Sequence, residues 1–154
     1  MSPRAACRLA TLGFEHVYDY MPGKVDWMAR GLPVEGDKAR ESRAIDIARD
    51  DVNTCRLNDK IADAQPRVAA SPYRFALVTS DDGVVLGRLR NATLEGNPER
   101  LAYEVMEPGP STTRPDIVPA AVRDKLLKAG LTIAVLTDPE GKLLGIVHRN
   151  DISP

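Results

Sequence analysis

Apolar and polar positions along this chain fall into one pattern that is written twice. Each copy opens with a short apolar turn, Ala44-Ile45-Asp46-Ile47-Ala48 and then Leu101-Ala102-Tyr103-Glu104-Val105-Met106. A small extended piece carrying Thr54 or Thr112 follows. Next comes a helical stretch, clearest at Pro119–Ala129, where Pro119 suits a first helical turn, Gly130 a stop, and Val122, Leu126 and Leu127 one apolar face. Two predicted strands then flank a turn: Arg74–Thr79 and Val84–Arg90 around Ser80-Asp81-Asp82-Gly83, Thr132–Thr137 and Lys142–His148 around Asp138-Pro139-Glu140-Gly141. Strand, turn residues and strand in that order predict a β-hairpin.

The two copies align without a gap at an offset of 58 positions, Ile45–Leu94 on Tyr103–Ile152. Thr54 falls on Thr112, Arg56 on Arg114, Ala62 on Ala120, Ala76 on Ala134 and Thr79 on Thr137. Gly83 falls on Gly141, Leu86 on Leu144 and Gly87 on Gly145, and Asp46 keeps its acidic character as Glu104. Repetition at one period implies a duplicated unit that cannot bury its apolar face alone. Two such copies should pack on each other and leave a cleft between them. Gly87 and Gly145 lie inside strands, which implies a bulge or tight packing against a neighbouring helix. Pro66 interrupts the first copy's helical stretch, where a break or kink is expected.

The order strand, helix, strand, turn, strand, ending Gly145-Ile146-Val147-His148-Arg149-Asn150-Asp151, resembles a CBS domain, and two in tandem resemble the pair called a Bateman module. The resemblance covers roughly residues 44–152 and implies an α+β fold of two β-α-β-β-α repeats, 44–96 and 98–154, related by a pseudo-twofold. It further implies a non-catalytic regulatory module, often a homodimer through the repeats' helices, that often binds an adenosyl ligand (AMP, ADP, ATP or S-adenosylmethionine) between the repeats. The closing helices are short, since Asn97-Pro98 ends the first and the second runs out at Pro154.

In nucleotide-binding CBS pairs an aspartate six residues past the strand glycine accepts both ribose hydroxyls, which suits a charged acceptor. By that resemblance Asp151 fills the role in the second copy, with His148 where a hydroxyl is usual. The first copy carries Arg90 and Thr93 at those places and has lost the ribose acceptor. Around Asp151 the resemblance groups Thr112, Thr113, Thr132, Ile133 and Ala134, the apolar pair holding adenine and the threonines offering hydroxyls. Two plainer readings stand beside this one. Asp151 is alternatively an N-cap or a solvated residue, and His148 a partly exposed strand residue.

The first 36 residues differ. Ser2–Leu12 reads as a helix with Ala5, Ala6, Leu9 and Ala10 on its apolar face, Phe14–Tyr20 as a strand, and Lys24–Arg30 as a short helix anchored by Trp27. The spacing of Gly13-Phe14, Val17-Tyr18, Gly23, Trp27 and Gly31-Leu32-Pro33 resembles the C-terminal third of a rhodanese-like domain. A rhodanese works through a cysteine opening a loop of Cys, four residues, Arg. With Arg4 as that arginine, the cysteine would fall two positions before Met1, outside this sequence. Cys7 and Cys55 do not fit the loop, and both read as small buried residues. A charged linker, 37–43, separates this piece from the repeats.

Composition narrows function further. The 21 basic and 22 acidic residues are interspersed, which argues against a nucleic-acid or anionic-membrane binder. The two cysteines and two histidines make no metal-ligand spacing. No apolar run reaches membrane-spanning length, so a cytoplasmic protein is expected. No paired carboxylates, nucleophile–base pair or phosphate-binding glycine loop suggests an enzyme.

Overall fold

The structure, a computed structural model, describes residues 3–152 and, at Lys38 and Arg40, the backbone alone. Met1, Ser2 and Pro154, which enter the expectations above, lie outside the described residues.

Each repeat forms one sheet covered by one helix. The first holds β1 (Thr54–Arg56), α3 (Ile61–Ala70), β2 (Phe75–Thr79) and β3 (Val85–Arg90), after α1 (Pro3–Thr11) and α2 (Gly23–Ala29). The second follows α4 (Ala102–Val105) and β4 (Glu107–Pro108), with β5 (Thr112–Thr113), α5 (Pro119–Lys128), β6 (Ile133–Thr137) and β7 (Leu143–His148). Strand order is β1-β2-β3-β4 in one sheet and β5-β6-β7 in the other. β1 and β5 run parallel to the strand they join across a helix, and both hairpins are antiparallel. The register obeys the sequence offset: Phe75 faces Arg90 as Ile133 faces His148, and both hairpins bulge at the same place, after Val78 and after Leu136.

Three apolar clusters form the core. Cys55, Val68, Ala76, Val78 and Leu89 pack beneath α3, and Val122, Leu126, Ala134, Leu136 and Val147 beneath α5. Val52, Phe75, Leu77, Val135 and Ile146 join the two sheets. Successive residues of β2 and β6 therefore alternate between a helix-facing and a sheet-facing cluster, so both faces of those strands are apolar.

The leading segment of each repeat crosses to the other repeat. Ala44, Ile47 and Ala48 pack beneath α5, while Ala102, Val105 and Met106 pack beneath α3. Backbone hydrogen bonds repeat the exchange: Ala44 N donates to Ile117 O at 2.8 Å and Ala102 N to Asp59 O at 2.9 Å. Asp46 accepts from Arg43 N at 2.7 Å and Glu104 from Leu101 N at 2.8 Å, so the paired acids serve as matched caps of the crossing turns. The hairpin tips also clasp, with Val85 N donating to Gly141 O and Leu143 N to Gly83 O, both at 3.0 Å.

The crossing explains the strand glycines. A Cβ on Gly145, whose φ is 146°, would lie 2.6 Å from Arg49 O, and one on Gly87 would lie 2.4 Å from Met106 Sδ. The partner they admit is an exchanged segment rather than a helix.

Several expectations are corrected. α3 runs unbroken through Pro66. The carbonyl that Pro66 cannot bond belongs to Ala62, one turn earlier, and both residues are exposed. Leu127 is exposed, because only Val122 and Leu126 of α5 point at the sheet. Each closing helix is reduced to a 3-10 turn, Asn91–Thr93 and Arg149–Asp151. Phe14–Tyr20 forms no strand, since no described strand lies alongside to bond it. Cys7 is exposed on α1, which buries no residue, whereas Cys55 is buried as expected. Within this N-terminal piece Asp26 is buried and bonded by Tyr20 Oη and, at 2.8 Å, by Arg30 Nε. The linker carries a 3-10 turn at Asp37–Arg40.

Candidate functional site

β7 ends at His148 and the chain turns tightly, placing Asp151 beside the crossing segment of the first repeat. Arg49 sits in that segment, its backbone fixed by two hydrogen bonds with Ile146, N to O at 2.8 Å and O from N at 2.9 Å. Its guanidinium donates to Asp151 Oδ1. The other carboxylate oxygen, Oδ2, is buried and has no hydrogen-bond partner among the described residues. A second guanidinium nitrogen reaches Tyr73 Oη at 3.4 Å, and Tyr73 Oη donates to Asp51 at 2.6 Å. A polar chain Asp51, Tyr73, Arg49, Asp151 thus runs from the first repeat to the end of the second.

Each link shows in the local acidity. The Asp151 and Tyr73 hydrogen bonds push the Arg49 pKa well above its usual value. Donation to Asp51 raises the Tyr73 phenol above the ordinary tyrosine range.

The expected site residues separate into two groups. Ile133 packs in the cluster between the sheets, and His148 is its antiparallel partner. Thr112 pairs with Val135, a member of that same cluster. Thr132 accepts from Arg149 N at 2.8 Å through its backbone carbonyl, which ties it to the turn carrying Asp151. Thr132 thus meets the turn through its main chain, and Ile133, His148 and Thr112 lie on the face of the sheet shared with Ile146, the backbone partner of Arg49. Thr113 and Ala134 do not. Thr113 is buried toward α5 and its hydroxyl accepts from Lys125 Nζ at 3.0 Å, while Ala134 packs in the cluster beneath α5. Strand alternation turns their side chains away from the face that meets the other sheet. Asp151 is the last residue of its 3-10 turn, which His148 caps. His148 Nδ1 accepts from Asn150 N at 3.2 Å, so one ring nitrogen is already engaged.

The equivalent place in the first repeat is built from opposite charges. Glu107 occupies the position of Arg49, and one of its carboxylate oxygens accepts from Arg88 at 2.9 Å and Arg90 at 2.7 Å. The Arg90 bonds, then those of Arg88, hold the Glu107 carboxyl below the usual glutamate range. Thr93, at the position of Asp151, closes on its own turn, its hydroxyl accepting from Arg90 N at 3.0 Å and donating to Arg90 O at 2.9 Å.

Arg49, Tyr73 and Asp51 were missed by sequence reasoning because the exchange brings them to Asp151 from about a hundred and from about eighty residues away. The signal that pointed to them was Gly145, a strand glycine that admits a close backbone. Burial raises the Cys55 thiol to about 11, which keeps it unreactive. Among the described residues no group of three or more His, Cys, Asp or Glu is placed to hold a metal, and no helix is long and apolar enough to cross a membrane.

Residues 102–153 match the CBS domain family. No curated protein sequence matches the chain. Among solved structures, the chain is similar to the cytosolic domain of the Mg2+ channel MgtE in complex with ATP, with 21% identity and a TM-score of 0.65, over 74% of this chain and 49% of that one. It is similar to CBSX2 in complex with AMP, with 17% identity and a TM-score of 0.62, over 71% and 92% of the two chains. The CBS domain pair of MJ0100 in complex with 5′-methylthioadenosine and S-adenosyl-L-methionine gives 18% identity and a TM-score of 0.59, over 73% and 93%. The chain spans about half the length of the MgtE domain. The fold is an α+β CBS-domain pair.

Proposed function

We propose that this chain is a non-catalytic regulatory module that binds one adenosine-type ligand between its repeats, with Asp151 accepting the ribose hydroxyls. The observation that carries this reading is the Asp151 carboxylate, engaged at one oxygen by an arginine from the other repeat and buried without a partner among the described residues at the second. A buried acceptor without a donor is unfavourable, and a ribose hydroxyl supplies the donor. His148, Thr112, Thr132 and Ile133 surround it in this reading, and the backbone of Ala134 and Thr113 lines the strands behind. Support also comes from structures of the same fold that hold ATP, AMP, or methylthioadenosine with S-adenosylmethionine.

Calorimetric titration of the chain with AMP, ADP, ATP and S-adenosylmethionine tests the proposal. One ligand per chain is expected, with binding at least tenfold weaker in Asp151→Ala. Equal affinity in the two proteins, or no heat from any ligand, refutes it.

A second reading is favoured by the Arg49–Asp151 pair itself, which joins the repeats without any ligand: a scaffold that pairs with a second copy through α3 and α5. Exposed Leu127 and Leu131 at the end of α5 support that contact. For residues 1–36 the rhodanese-like reading rests on the spacing of Gly13, Val17, Gly23, Trp27 and Gly31-Leu32-Pro33. Two helices, α1 and α2, lie in that stretch, without the strand expected between them.

A further inference from the structure

We propose that Arg49 is the specificity-determining residue of this site: it neutralises Asp151 while the site is empty and turns to the ligand's 5′-phosphate once ribose hydroxyls replace it on Asp151. The site then selects adenosine 5′-phosphates over adenosyl compounds whose 5′ group is uncharged or cationic. The inference rests on the ribose-binding role of Asp151 proposed above.

Three observations carry it. The first is a fixed base with a mobile arm. Two backbone hydrogen bonds to Ile146 and the close approach to Gly145 hold the Arg49 backbone, whereas its side chain is 45% exposed and has solvent to swing into. The second is competition at Asp151. The guanidinium already occupies Oδ1, so a ribose that takes both oxygens competes with it there. A ligand without an anion leaves the displaced guanidinium without a new partner, and that loss counts against binding. A phosphate replaces one charge-assisted contact by another, for which the guanidinium's forked donors are well shaped. Tyr73 Oη, within 3.4 Å of the same guanidinium and itself held by Asp51, limits where the arm rests.

The third observation is the reversed charge of the other half. At the position of Arg49 the first repeat carries Glu107, a carboxylate that would repel a phosphate, and both nearby arginines are committed to it. The two positions are equivalent in sequence and in backbone pairing, Arg49 with Ile146 and Glu107 with Arg88. The anion-accepting arm therefore exists on the Asp151 side alone of these two. A 5′-thioether places an uncharged sulfur where the phosphate would sit, and a 5′-sulfonium places a positive charge there, beside Arg49.

The test is titration of the whole chain with adenosine, 5′-methylthioadenosine, S-adenosylmethionine and AMP, in wild type, Arg49→Ala, Arg49→Lys and Asp151→Ala. Wild type is expected to bind AMP at least tenfold tighter than adenosine or methylthioadenosine. Arg49→Ala should lose most of that AMP advantage while binding adenosine as well as or better than wild type, because Asp151 has been released. Arg49→Lys should retain part of the preference. Wild type binding adenosine as tightly as AMP, with both lost in Asp151→Ala, overturns this inference and leaves the ribose site standing. The same weakening of adenosine and AMP in Arg49→Ala also overturns it, since Arg49 would then be only structural. Binding of AMP unaffected by Asp151→Ala, or no binding of any of the four, defeats the ribose site and this inference together.

Discussion

The two crossings share a backbone and differ in charge. On one side a leading-segment arginine meets an aspartate at the end of its partner repeat, and on the other a leading-segment glutamate meets two arginines of the strand. Thr93, where the aspartate would be, is consumed by its own turn. Duplication preserved what the fold needs: the caps at Asp46 and Glu104, the glycines that admit the crossing segments, and the clasp between hairpin tips. Side chains at the cleft were free to diverge, because the crossing pairs through main-chain atoms. The comparison separates positions that hold the pair together from positions that give it chemistry.

The largest expected effect falls on the shared framework, and it is unequal. Gly145→Ala places a Cβ against the Arg49 carbonyl, a backbone atom that cannot move aside, at a positive φ. It should destabilise the chain by roughly 3 kcal/mol or more in urea denaturation. Gly87→Ala chiefly meets the side chain of Met106, which can repack, with Glu107 O less tightly approached at 3.1 Å, and has no positive φ. A loss of about 1–2 kcal/mol is expected there. Equal losses would mean that the two crossings are held alike.

Ligand binding should separate the halves next. Asp151→Ala should weaken an adenosine phosphate at least tenfold, as removal of a charged hydrogen-bond acceptor does. Thr93→Ala should change affinity less than twofold and should lower stability only by the loss of a turn cap. Comparable effects of the two substitutions on affinity would contradict the single-site account.

A smaller effect is expected from acid. The Glu107 carboxyl is held below its unfolded value by Arg90 and Arg88, so its contribution to stability is present above the usual glutamate range and is lost as pH falls through the lowered folded value. Melting temperature should therefore fall as the pH is lowered below about 4.3, the unperturbed glutamate pKa. In Glu107→Gln that fall should be shallower, and the same slope in both proteins would show that the arginine pair contributes nothing.

Most of the fold was legible because the pattern occurs twice. Hairpins, strands and the helix from Pro119 follow from alternation, turn residues and one gapless offset, each copy checking the other. Readings failed where only one copy or no partner was available. The segment Phe14–Tyr20 has strand composition, yet a strand exists only when another bonds to it. Of the residues grouped from the sequence, Ile133 and His148 pair on the face toward the other sheet, while Thr113 and Ala134 face the helix. The run Ile133-Ala134-Val135-Leu136 is apolar throughout, because both faces of β6 are buried. Such a run carries no alternation from which to tell helix side from cleft side. Arg49 was invisible for another reason. Its function depends on a chain crossing, and nothing local to residues 46–52 announces which repeat they pack against.

The central claim is that one half of the cleft binds an adenosine phosphate and the other does not. Backbone amide NMR during titration of the chain with AMP tests it most directly, because the equivalent positions report side by side. Shifts saturating with one ligand per chain at Arg49, Ile133 and His148–Asp151, with Arg88–Thr93 and Glu107 little changed, are predicted. Equal shifts at the two sets of positions, or none at either, would contradict it.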